Sequence, residues 1–220
     1  MSKRETEKWI GWHFLGADKR LRHDDEYSDG RPVVVGEWMA AQMPEGYTAP
    51  VLCESGMHAS KRAIDALRYA PGPILCRVEL RGELAEGTDK ATAIERRVLW
   101  MADADRMLRE FAIWCAEQAI ETVAKLDGLT DLDRKALDAG RECNRIGRLY
   151  LDGKASAAAW GAASDAASAA AWAAAWGAAW DAARDAAWGA ASDAAWNAAW
   201  AAQAKQLEEM CLALEPKEGK

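Results

Sequence analysis

The sequence predicts an α+β protein, with a small mixed or antiparallel β domain carrying one short helix, then an all-α C-terminal half ending in a long Ala/Trp tetrad-repeat helical segment. Three observations carry this. Strand-like apolar runs are confined to the first part of the chain, at Trp9–Leu15 and Ile74–Arg81. Helical spacing takes over after about Ala91. From Ala155 to Gln203 the chain reads in blocks of four such as AAAW, GAAW and DAAW. The division expected is a small domain over 1–95, an amphipathic helical pair over 96–153, the repeat over 154–214 and a solvated end over 215–220.

Trp9–Leu15 (WIGWHFL) is apolar on both alternating faces, as a central strand buried on two sides would be. A polar loop follows to Arg31. Pro32 then precedes a short β-branched run, Val33–Val35, which Gly36 ends. Trp38–Pro50 contains Pro44, Gly46 and Pro50 and reads as irregular. In CESGMHASKRAIDALRY, Cys53–Tyr69, Gly56 can supply a positive φ, and Ser60 is placed to cap a helix over 61–69 that Pro71 and Gly72 stop. Ile74–Arg81 alternates, with Ile74, Cys76, Val78 and Leu80 inward, and Gly82 ends it.

Met107, Leu108, Phe111, Cys115, Ala119, Ile120 and Val123 recur at helical spacing, giving an amphipathic helix that stops near Asp127-Gly128. Thr130 and Asp133 resemble a capping box that starts a second helix, running to about Leu151.

In the repeat, Trp160, Trp172, Trp176, Trp180, Trp188, Trp196 and Trp200 stand apart by multiples of four. Alanine loses no side-chain entropy on folding, so a helix is expected. A helix turns ~100° per residue, so each four-residue step displaces the next indole by ~40°. The stripe therefore winds roughly once around the rod between Trp160 and Trp200. Three resolutions stay open: a right-handed supercoil with other helices, breaks near Gly161, Gly177 or Gly189, or local π widening. Packing against a helical partner, a second copy or the chain itself would hide the indoles, because Ala and Gly permit close approach.

Composition excludes several classes. A net charge of −7 disfavours nonspecific binding to nucleic acid, and the charges between the tryptophans are chiefly Asp, not the basic residues of a stacking platform. No charge-free run reaches the ~20 residues of a membrane span, and the start, MSKRETEKW, has no signal-peptide pattern. Cys53, Cys76, Cys115, Cys143 and Cys211 form no CxxC pair and are expected as reduced, mostly buried thiols in a cytosol. No metal site and no resident cofactor are expected. The sequence lacks GxxxxGK[ST], HExxH and GxSxG, so the mechanical parts of the corresponding enzymes are missing.

The candidate chemistry rests on His13 and His58, each inside an apolar stretch and able to act as base, hydrogen-bond partner or ligand contact, with Ser60 beside the second. Core histidines with satisfied nitrogens are the competing reading. Cys53, five residues before His58, lacks an identifiable orienting third group for a nucleophile pair.

WHFL at Trp12–Leu15, CESGMHAS at Cys53–Ser60, DALRYAPG at Asp65–Gly72, CRVELRG at Cys76–Gly82, Asp89-Lys90 and the alanine tail together resemble a family of uncharacterised bacteriophage and prophage proteins. This resemblance implies a phage accessory protein acting in the bacterial host cytoplasm and an architecture, and no activity. A second resemblance, to the ADP-ribosyltransferase core, lies in the order GWHF, GMHAS, helix to Tyr69, then ILCRVELRG. It implies NAD as cofactor, a host protein as target, His13 at the adenosine-side ribose and His58 along the nicotinamide pocket. His58 stands where many members keep Tyr, and Phe14 where Gly commonly follows the first His. Glu95 is the nearest candidate for that family's catalytic carboxylate.

Overall fold

A computed structural model describes residues 8–21, 30–178 and 189–217, and the side chains of these except 171–178 and 189–197. The protein is α+β, with a five-stranded antiparallel sheet and five helices among the described residues. It forms two compact units. One comprises Met1–Asp105 with Ala204–Lys220, and the other Arg106–Gln203.

In the first unit, β1 (Trp9–Leu15), β4 (Ile74–Glu86), β5 (Ala91–Asp103) and β2 (Trp38–Ala40) lie in that order, and β3 (Met57–Ala59) pairs with β5. The free side of β1 is closed by Ser60, whose N–H donates to the Trp12 carbonyl at 2.9 Å while the Trp12 N–H donates back at 2.7 Å. Strand pairing therefore runs β1, β4, β5, β3 and back to β1, a curled sheet closed on itself by one bridge. Bulges between Arg77 and Val78 and between Arg81 and Leu84 give the two long strands the bend this needs. The interior holds Leu15, Met57, Ile74, Cys76, Val78, Leu80, Ala93 and Val98.

Several expectations are corrected. β1 is an outer strand of the main path, not a central one, and its free edge is bridged by Ser60. Val33–Val35 makes no strand; only Arg20–Pro32 and Val35–Val98 bridges form there. Trp38–Ala40 is strand β2 despite the prolines that follow. The helix expected over 61–69 is only α1 (Ala63–Leu67), and Ser60 does not cap it, being held in the bridge to Trp12. Gly82 sits at the second bulge, and β4 continues to Glu86. The boundary expected at 95 falls inside β5, so the sheet unit extends to Asp105, and 204–217 returns to that unit.

In the second unit, α2 (Asp105–Val123) and α3 (Asp131–Leu151) match the helical pair. Thr130 accepts from the Asp133 N–H at 3.2 Å and the Asp133 carboxylate accepts from the Thr130 N–H at 2.7 Å, completing the capping box. Two further helices follow, α4 (Ala157–Ala178) and α5 (Gly189–Ala213), the latter ending in the first unit. Trp160 packs on Tyr150 in a tilted ring contact with centroids 5.1 Å apart, and Trp200 is half-buried. The side chains of Trp172, Trp176 and Trp196, and all of Trp180 and Trp188, lie outside the described residues. Among the described residues no helix is long and apolar enough to cross a membrane.

Candidate functional site

The two histidines singled out in the sequence line one cleft. β1 places His13 opposite Cys76, and β3 places His58 opposite Thr92. Because Ser60 holds the end of β3 against β1, residues some forty-five positions apart share one wall of a cavity of about 590 Å³.

The His13 imidazole has no hydrogen bond among the described residues, and its pKa is held well below 6.5 by burial first, then by the Arg96 guanidinium and by His58. It is therefore a neutral imidazole with nitrogens available to a ligand. Ser60 is 2% exposed, and its hydroxyl, in the cleft lining, has no partner among the described residues. His58 Nε2 accepts from the Cys53 N–H at 3.2 Å, which places the proton of a neutral ring on Nδ1. Its carbonyl accepts from Arg96 at 2.6 Å. Cys53 itself, also in the lining, has a left-handed backbone at φ 68° and an exposed thiol.

Three cations that sequence reasoning missed stand in the same lining: Arg20, Arg68 and Lys90. Arg68 follows α1 directly, and Tyr69 after it donates to Asp89 at 2.6 Å while its ring receives the Lys90 ammonium at 4.2 Å. Burial works against the Lys90 charge, but contacts with Cys53, Tyr69 and Asp89 outweigh it and raise the pKa. No carboxylate belongs to the described lining. On a chain of net charge −7, this cleft is locally cationic. The only sequence signal for it was the polar Arg68-Tyr69 and Asp89-Lys90 pairs beside turn residues, and turns carry no periodicity.

Glu95 is not brought into the cleft. It lies on β5, where its carboxylate takes a two-point bond from Arg81 at 2.7 and 3.0 Å. That pairing holds its pKa below the usual carboxylate range. All five cysteines are free, with burial pushing Cys76 and Cys211 up to about 12. Among the described residues no group of three or more His, Cys, Asp or Glu is placed to hold a metal ion. Comparison with protein-family models, with curated proteins and with solved structures gives no match.

Proposed function

We propose that the sheet unit binds a phosphate-bearing nucleotide in the cleft between His13 and His58, and does so without turnover. The observation that carries this reading is the pairing of two polar side chains on the cleft lining that make no hydrogen bond among the described residues, His13 and Ser60, with three cations and no carboxylate. Arg68, Arg20 and Lys90 would take the phosphate oxygens. His13 and Ser60 would meet the sugar.

The resemblance to phage proteins supports an accessory role in the host cytoplasm, with the Ala/Trp region as a helical segment that self-associates or packs on a helical partner. The tetrad spacing over 154–214 supports a repeat helical segment, with Trp160 through Trp200 as its packing surface.

A second reading, NAD-dependent mono-ADP-ribosyl transfer to a host protein, is favoured by the single cleft shared by His13 and His58. Its electrostatic requirement is a carboxylate beside the cationic ribose, and Glu95 is committed to Arg81. Titration calorimetry with ADP and with NAD tests binding. Incubation with labelled NAD and host lysate tests transfer. Saturable binding weakened by Ser60→Ala and Arg68→Ala, without label transfer, is the expected result. Transfer abolished by His13→Ala would establish the enzyme instead, and absence of both would remove the cleft as a nucleotide site. Sedimentation of the intact protein and of a Trp176→Ser/Trp180→Ser variant tests self-association.

A further inference from the structure

We propose that Glu208 is a positioning residue for the cleft, through which the returning C-terminal segment fixes the wall that carries Arg68 and Tyr69. The inference rests on the cleft being a nucleotide site.

The carboxylate of Glu208 bridges two elements that are remote in sequence. One oxygen accepts from the indole N–H of Trp12 at 2.7 Å, and the other accepts from the backbone N–H of Ala63 at 3.0 Å. Trp12, Ala63 and the neighbouring Leu207 and Cys211 are all 0% exposed. These bonds are partly buried, where one made to a charged acceptor is strengthened and an unmade one is costly. Arg77 lies over the Trp12 ring at 4.4 Å and within the field of Glu208. The carboxylate thus has a nearby cation as well as two donors.

The anchored element needs the help. α1 has five residues, its N-cap Arg62 supplies no side-chain cap, and so short a helix has little stability of its own. Glu208 does from across the chain what Ser60 would have done locally, accepting a first-turn N–H where negative charge is favourable. Arg68 and Tyr69 follow α1 without a break, so the position of the helix sets the position of these two lining residues. The opposite contact, Trp12, belongs to the strand that carries His13. One carboxylate therefore ties the His13 wall to the Arg68 wall.

Coupling of this kind is reciprocal: if the segment around Glu208 favours the ligand-ready wall, ligand must favour the docked segment. The test uses the full chain, with ADP as probe in titration calorimetry and amide exchange followed over 63–70 and 204–213. Glu208→Ala is expected to weaken ADP about tenfold, as loss of a charge-assisted pair would. Glu208→Gln keeps one oxygen acceptor and is expected to fall between. ADP should slow exchange over 204–213 in the natural chain and not in Glu208→Ala. If Glu208→Ala does not fold, Glu208→Gln carries the comparison, with a few-fold loss expected. ADP affinity equal to the natural chain in a folded Glu208 variant overturns the proposal while leaving the nucleotide site standing. No binding of ADP by the natural chain overturns the nucleotide site and this inference with it.

Discussion

The fully buried hydroxyl of Thr92 donates to the carbonyl of Ser55 at 2.8 Å, fastening the turn before β3 to the strand that β3 pairs with. Gly56, the next residue, has φ 93°, and a Cβ there would overlap that same hydroxyl. Thr92→Val is nearly isosteric but leaves the Ser55 carbonyl without its donor, so a loss of about 1–3 kcal/mol is expected in denaturant unfolding. Gly56→Ala should cost at least as much, since it adds left-handed strain to the overlap. Both should also lower ligand affinity, because β3 carries His58 and leads into Ser60. A Thr92→Val midpoint equal to that of the natural chain would remove the fastening role.

The neutral state of His13 has a pH signature. Its unfolded-state value is near 6.5 and its folded value lies well below that, chiefly from burial. As pH falls below 6.5 the unfolded chain takes up a proton that the folded chain refuses. The stability tied to the neutral imidazole is therefore complete above that pH and declines as pH drops toward the folded value, by up to about 1.4 kcal/mol per pH unit. His13→Asn removes the titrating group. Unfolding free energies at about pH 7.5 and about pH 5.5 should drop less for the variant than for the natural chain. Equal drops would mean that His13 is accessible enough to protonate in place.

Glu95 gives the opposite expectation. Its bond to Arg81 is on the outer surface, where Arg81 also covers the Trp38 ring at 3.9 Å. Exposed pairs contribute about 0–1 kcal/mol. Glu95→Gln should shift the melting temperature little and leave ADP affinity unchanged, as read by scanning calorimetry and titration. A marked loss of binding would show that the carboxylate reaches the ligand after all.

The contrast between His13 and Glu95 shows what could be read in advance. His13 and His58 stood out because an imidazole in an apolar run is conspicuous, and the Thr130 capping box was legible because its partners lie three residues apart. β5 was not legible: Glu95, Arg96 and Arg97 interrupt its apolar pattern. Their compensation is cross-strand, Glu79 with Arg97 and Arg81 with Glu95. The cations of the cleft sit in turns or at element ends, where no period marks them. Glu208 was the least legible of all, since its role depends on chain closure across 196 residues.

The second unit permits a test of packing by glycine. On α3, Gly140 and Gly147 are one heptad apart, and on α2 so are Ile113 and Ile120. A Cβ at Gly140 would meet Ile120 Cδ1 at 3.0 Å, whereas one at Gly147 would meet Ile113 Cδ1 and the Trp160 indole nitrogen, both at 3.0 Å. Alanine gains up to about 1 kcal/mol over glycine within a helix. At Gly140 the only obstacle is the end of a flexible side chain, so Gly140→Ala should be neutral or stabilising. At Gly147 the methyl is caught between a buried isoleucine and an indole packed against the Tyr150 ring. Neither can yield without repacking, which costs about 1–3 kcal/mol and outweighs the propensity gain. Gly147→Ala should therefore destabilise, and adding Ile113→Val should recover part of the loss in a double-mutant cycle. Equal effects of alanine at the two glycines, measured by urea unfolding, would show that α2 and Trp160 do not press on α3 as the structure has them.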